Sequence, residues 1–211
     1  MIKIILVDDH AVVRTGFRLL LQSVPEISVI AEAESGEAAC RLYAELTPDV
    51  VVMDLAMPGM GGLEALRRIR AQHPHARVLT LSAHDDPMHA RRALREGALG
   101  FLSKRSAPEA LVEAVTEIAA GRRYLDAALA RKLALADCDG ATESPTERLS
   151  EREFEVFLRL AKGATVQRIA QELNLSTSTV GTHLYNIKHK LGVGNQSEIT
   201  LIAVRHGLIE A

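Results

Sequence analysis

The sequence contains no tryptophan, and its few phenylalanines and tyrosines bring the aromatic share to only 3%. So sparse a set argues against stacking platforms for single-stranded nucleic acid or sugars. Cysteine is nearly absent too. Cys40 and Cys138 are the whole complement, at no metal-ligand spacing and too few for a disulfide framework. Cys40 falls in an apolar helical pattern and is expected in the core. Cys138 lies in a polar stretch and is expected to be an exposed thiol. No apolar run approaches the ~18 residues of a membrane span. The opening MIKIILVDDH meets two carboxylates by residue 9, which does not read as a secretory signal. The expectation is a cytoplasmic chain with no membrane partner.

What is present is length and alternation. With 211 residues, 47% of them apolar, the chain can bury a core without staples, as one large domain or two small ones. The overall charge of −2 divides unevenly. Residues 1–147 carry 17 Lys+Arg against 21 Asp+Glu, net −4, and residues 148–211 carry 8 against 6, net +2. That asymmetry points weakly to two parts with different partners.

Short β-rich runs at 2–7, 28–33, 50–53, 77–81 and 100–102 alternate with helical patterns at 11–21, 36–46, 63–72, 87–96 and 108–120. Two of the runs, IKIILV and VVVM, are suited to strands covered on both faces. Five β-α units in succession predict a doubly wound α/β domain with a five-stranded parallel sheet, ending near Gly121. Ser106 and Glu109, at capping-box spacing with Pro108 between them, mark the start of the fifth helix. A segment at 126–136 has the composition of a short helix, and DCDGATESPTER (137–148) reads as linker. From Ser150 the pattern is purely helical, with helices expected at 151–162, 166–173, 177–191 and 197–206. Another capping-box spacing, Ser150 to Glu153, opens it.

In an open parallel sheet, ligands gather at the carboxyl ends of the strands. There the chain carries Asp8 and Asp9 after the first strand, Asp54 after the third, Ser82 after the fourth and Lys104 after the fifth. Taken singly, each has a plainer reading as a cap, a turn former or solvated surface. Together they converge on one rim. Three carboxylates so close repel one another unless a cation intervenes, and all-oxygen ligands suit Mg2+. Such a site fits phosphoryl transfer onto a carboxylate, with Lys104 neutralising oxygens and Ser82 hydrogen-bonding the transferred group. The GMGG at 59–62 lacks the following Lys-Ser/Thr of a P-loop, so ATP is not the expected direct ligand. A phosphatase using the same aspartyl chemistry would want a second acid at position 56, which is Ala56.

The motifs VDDH (7–10), MDLAMPGMGG (53–62), LSAHDD (81–86) and GFLSK (100–104) resemble the receiver domain of two-component response regulators. The resemblance implies the flavodoxin-like sheet order 2-1-3-4-5. It places Asp54 as phospho-acceptor and Asp8 and Asp9 as the metal pair. The main-chain carbonyl of Ala56 joins the metal, Ser82 and Lys104 take the hydroxyl and lysine positions, and Phe101 is the aromatic switch. Gly61 stands where many relatives carry Asp.

In the tail, helices flanking Asn174-Leu175-Ser176 have helix-turn-helix spacing. Val180, Leu184, Ile187 and Leu191 form one apolar face, opposite Ser178, Thr182, Tyr185, Asn186 and His189. A plain amphipathic helix would look the same, so periodicity leaves DNA binding open. LSEREFEVFLRLAKG, IAQELNLSTSTVGTHLYNIKHKL and AVRHGL resemble the LuxR-type helix-turn-helix of NarL/FixJ response regulators. That resemblance implies base contacts at the positions of Gly181, Thr182 and Tyr185; since glycine supplies no side chain, direct readout is expected from Thr182, Tyr185 and Asn186, with Lys188, His189 and Lys190 better placed for phosphates. Gly181 departs from the Lys common there, and Val166 from the usual Asn.

The whole is identified as a phosphorylation-switched transcriptional regulator and not an enzyme: receiver 1–121, connector 122–147, DNA-binding domain 148–211. The implied partners are a sensor histidine kinase, double-stranded promoter DNA and a second copy of the chain.

Overall fold

The computed structural model describes residues 1–83, 87–138, 145–206 and 208–209, in two compact units, Met1–Gly140 and Ala141–Ala211. The end of the LSAHDD motif, most of the polar linker and the side chain of Cys138 lie outside the described residues.

In the first unit, β1 (Ile2–Val7) places Ile4 and Leu6 on one face of the sheet and Ile5 and Val7 on the other. All four are fully buried, which requires helices on both sides. The first face is covered by α1 (Ala11–Gln22) and α5 (Pro108–Ala119), which contribute Leu21, Leu111, Val115 and Ile118. The second is covered by α2 (Gly36–Leu46), α3 (Gly61–Gln72) and α4 (Pro87–Arg95), with Tyr43, Leu66, Ile69 and Ala90 in its core. Cys40 is half-buried and packs against that core. The remaining strands are β2 (Ile27–Ala33), β3 (Val50–Asp54), β4 (Val78–Ser82) and β5 (Gly100–Ser103).

Two features extend or correct the expectation. The parallel sheet has six strands, in the order β2-β1-β3-β4-β5-β6, one more than the five expected. The addition, β6 (Tyr124–Leu125), belongs to the connector and pairs Tyr124 with Gly100 and Leu125 with Phe101. It leads into α6 (Ala127–Cys138), where Asp126 Oδ1 accepts from the Ala128 and Leu129 N–H groups. Leu129 and Leu133 then bury themselves in the same core as α2 to α4, so this part of the connector is structurally part of the first unit. The second correction concerns Ser106. The N-cap of α5 is Ala107, with no side-chain cap bond. Pro108 holds the preceding residue in an extended conformation, which puts the helix boundary one residue after the serine.

The second unit is all helix: a 3-10 turn (Pro145–Arg148), α7 (Glu151–Ala161), α8 (Val166–Glu172), α9 (Thr177–Leu191) and α10 (Gln196–Arg205). Each α-helix begins on a side-chain oxygen that satisfies one of its open N–H groups. The Ser150–Glu153 capping box is complete. Thr165, Ser176 and Asn195 accept from the N–H groups of Arg168, Thr179 and Glu198. Phe154, Phe157, Ile169, Val180, Ile187 and Ile199 form the core, with Val166 packed at its margin. Between α8 and α9 the chain turns through Asn174 at φ 56°.

Two glycines have opposite constraints. A Cβ at Gly62 would lie 1.9 Å from the Asp54 carbonyl oxygen, so α3 can approach β3 only without a side chain there. At Gly181, inside α9, a Cβ would meet nothing within 4 Å. Gly62→Ala is therefore expected to destabilise the chain by about 2 kcal/mol or more through overpacking. Gly181→Ala should stabilise the helical unit by ~0.5–1 kcal/mol through helix propensity. Denaturant unfolding of both variants checks the two signs.

Candidate functional site

The carboxyl ends of β1, β3, β4 and β5 meet at one rim of the sheet. Asp54 is the last residue of β3 and Ser82 the last of β4, and both are fully buried, as is Asp8. Lys104 follows β5 directly, and its backbone N–H donates to the Ser82 carbonyl at 2.8 Å. That bond fixes where the lysine leaves the sheet. Its ammonium reaches back between two carboxylates, 2.7 Å from Asp8 Oδ2 and 2.8 Å from Asp54 Oδ2. Asp54 Oδ1 accepts the Ala56 N–H at 3.1 Å, which brings the start of the β3–α3 loop against the Asp54 carboxylate. Asp9 sits at the mouth, 17% exposed.

Electrostatics follow from burial. Removal from water pushes the Asp54 carboxyl up from 3.8 to about 6; Lys104 pulls it down and Asp8 pushes it further up, and the pull does not win. Burial also works against the charge on Lys104, but Asp54 and Asp8 outweigh it and hold the ammonium above its ordinary value. One ammonium lies between two carboxylates, and a third, Asp9, stands close by at the mouth. Asp8, Asp9, His10 and Asp54 each offer a ligand atom, all within 4.8 Å of one another. The three carboxylates form an oxygen donor set around excess negative charge, which fits a hard divalent cation.

Two neighbours in this cluster escaped the sequence reading. His10 Nδ1 lies 2.9 Å from Asp9 Oδ1 and 3.4 Å from Asp8 Oδ1, and its backbone N–H donates to Asp8 Oδ1 at 2.8 Å. Arg14 Nη1 donates to the Asp8 carbonyl at 2.6 Å while its Nε pairs with Glu32. The only available signals were adjacency to the acidic pair for His10 and a position one turn further along α1 for Arg14.

Phe101 lies in the middle of β5, fully buried. Beside it is a small cavity of about 130 Å³, lined also by Asp126, just before α6, and by Leu129 and Lys132 within it. The aromatic side chain is thus flanked by the connector as well as by the sheet.

In the helical unit, α9 buries Val180 and Ile187 and leaves Ser178, Thr182, Tyr185 and His189 exposed along its opposite side. Tyr185 is 70% exposed. Its ring lies near that of His189, 6.5 Å between centroids at 20°. Asn186 is half-buried beside this stripe. The two lysines at the end of α9 have intramolecular partners. Lys188 Nζ donates to the Gly194 carbonyl at 2.8 Å, and Lys190 Nζ pairs with Glu153 Oε2 at 2.5 Å. Among the described residues no helix is long and apolar enough to cross a membrane.

Comparison with known proteins agrees with this division. Residues 4–116 match the response regulator receiver domain, and residues 147–203 match the bacterial regulatory proteins of the luxR family. The chain is 39% identical to the response regulator UvrY of Escherichia coli K12 over 212 aligned positions, covering 100% of this chain and 97% of UvrY. It is likewise 39% identical to the response regulator GacA of Pseudomonas aeruginosa, covering 100% and 99%. Among solved structures, the RcsB response regulator of Salmonella typhimurium is similar over 99% of both chains, at 26% identity and a TM-score of 0.61. RcsB has also been solved as two dimers bound to two parallel DNAs. The chain belongs to the NarL/FixJ response regulators, two-component transcription regulators that join a receiver to a LuxR-type helix-turn-helix.

Proposed function

We propose that Asp54 accepts a phosphoryl group from the phosphohistidine of a sensor histidine kinase, and that this event controls dimerisation and promoter binding. The observation that carries the reading is the placement of the Asp54 carboxylate: buried at the end of the central strand, between Asp8 and the Lys104 ammonium. An Asp54 oxygen attacks phosphorus as the bond to the donor nitrogen breaks. Lys104 balances charge on the transferred group, and the Ser82 hydroxyl hydrogen-bonds one of its oxygens. Asp8, Asp9, Asp54 and the Ala56 carbonyl would hold Mg2+. A bound divalent cation supplies charge neutralisation for the phosphoryl oxygens.

Phe101 acts as the switch, moving with Ser82 when the new charge arrives. The second unit then binds double-stranded promoter DNA as a homodimer through α9, with Gly181, Thr182, Tyr185 and Asn186 toward bases. His189 lies toward phosphates, as do Lys188 and Lys190 where they exchange the Gly194 carbonyl and the Glu153 carboxylate for a phosphate. The working boundaries are receiver 1–121, connector 122–147 and DNA-binding domain 148–211, in a cytoplasmic regulator whose only chemistry is its own phosphorylation.

Three outcomes test this. Asp54→Asn should abolish labelling by radioactive acetyl phosphate and the gain in promoter affinity that labelling brings; persistence of both overturns the assignment of Asp54. In chelator at pH 7.5 the same substitution should stabilise the protein by ~2–3 kcal/mol, at about 1.4 kcal/mol per unit of displaced pKa. The sign follows from the raised carboxyl: its protonated form favours folding, a contribution complete below about 4 and lost as pH rises through about 6. The advantage of Asn over Asp should therefore shrink on acidification, as denaturant midpoints at pH 7.5 and pH 4.5 will tell. Mg2+ should raise the midpoint of the native chain and leave that of Asp54→Asn nearly unmoved.

A further inference from the structure

The recognition face of α9 has an unusual chemistry for a helix that reads DNA. Guanine presents two acceptors in the major groove and is best met by Arg or Lys. Between Thr177 and Ile187 the helix has neither. The nearest cations, Lys188 and Lys190, are engaged by the Gly194 carbonyl and the Glu153 carboxylate. What the exposed stripe offers instead is the apolar surface of Thr182 and Tyr185, with the Ser178 hydroxyl and the His189 imidazole at its two ends and a neutral amide, Asn186, beside it. The Thr182 hydroxyl donates to the Ser178 carbonyl at 3.1 Å, so its donor is used within the helix and its methyl group remains for contact. Tyr185 holds a ring 70% exposed, in a chain with almost no other exposed aromatic surface. Gly181, with open space around it, lets the helix backbone come close to whatever it faces. Asn186, on the flank, carries the amide that pairs bidentately with adenine.

We infer that α9 reads A·T base pairs, with thymine methyl groups packed against Thr182 and Tyr185 and an adenine edge toward Asn186, and does not select guanine. The inference rests on the proposed DNA-binding role of the second unit and names the ligand of that surface. A thymine methyl removed from water by Thr182 and Tyr185 is worth about a fourfold change in affinity. A helix that reads by methyl contact therefore needs several such steps in each half-site.

The test is selection of duplexes from a random pool by the full chain, phosphorylated with acetyl phosphate, followed by affinity measurement on the selected site. The expected product has A·T pairs at the steps facing α9. Replacing thymine there by deoxyuridine, which lacks only the methyl group, should weaken binding about fourfold per position. Tyr185→Ala should remove most of that sensitivity while weakening the parent site. Gly181→Lys, which places a cation on the same face without a clash, should shift selection toward guanine at one step. Circular dichroism of both variants establishes that the helices persist. Selection of guanine by the native chain at these steps overturns the inference but leaves DNA binding intact, as does affinity unchanged by deoxyuridine. Failure of the phosphorylated chain to retain any duplex overturns the DNA-binding role and the inference with it.

Discussion

The first unit is organised around a single ammonium group held between two fully buried carboxylates. Burying Asp8 and Asp54 side by side is costly, since each loses hydration and each repels the other. Lys104 makes the arrangement tolerable, and local features of the rim fix the lysine and the carboxylate it serves. Its backbone is bonded to Ser82, which ties the end of β5 to the end of β4. Asp54 ends a strand whose five residues are all buried, so its position is set by the sheet rather than by a loop. Gly62 lets α3 pack directly on the carbonyl of Asp54. Burial outweighs the pull of the lysine and keeps the Asp54 carboxyl raised, to about 6. Asp8, Asp9 and Asp54, with ligand atoms within 4.8 Å of one another, form an oxygen donor set that suits a further cation.

The strand that ends at Lys104 also carries Phe101, and β6 of the connector is bonded to that same strand. The connector then continues into α6, which seats Leu129 and Leu133 in the core on the Phe101 side of the sheet. A receiver sheet ending at β5 would leave this edge open. Here the edge is occupied by the chain's own continuation, so the lysine, the aromatic side chain and the first part of the connector lie on one continuous piece of structure.

Much of this was legible in the sequence, for reasons that differ by element. The buried strands announce themselves because IKIILV and VVVM have no polar face, and strand ends then place Asp8, Asp54, Ser82 and Lys104 without knowledge of packing. Helix starts in the second unit were equally open to reading at Ser150, where both members of the capping box are local. The same spacing misled at Ser106 because Pro108 moved the boundary. The strand β6 has two residues, too few for any periodicity, and its existence depends on what β5 leaves unpaired. The partners of Lys188 and Lys190 were hidden for a related reason: Glu153 is 37 residues from Lys190 in the chain, and only the packing of α7 on α9 joins them.

Those partners change the meaning of the mild positive charge of the tail. Beyond the two lysines, Arg152 pairs with Glu155, and Arg159 and Arg168 both reach Glu172. Five of the cations in the helical unit thus have partners inside it, Arg152 and Arg168 within their own helices and Arg159 and Lys190 across to a neighbouring one. Affinity for a nucleic acid backbone scales with the number of phosphates a protein neutralises, and few charges remain free for that purpose. Surface pairs such as Arg168 with Glu172 are weak enough to be exchanged for phosphate, whereas Lys190 is held by the carboxylate that completes the cap of α7. Recruiting Lys190 to DNA would remove a partner from the buried Glu153. On the function proposed above, binding by one copy of this unit would depend on base contacts from α9, and a second copy on an adjoining half-site would supply charge that one copy lacks.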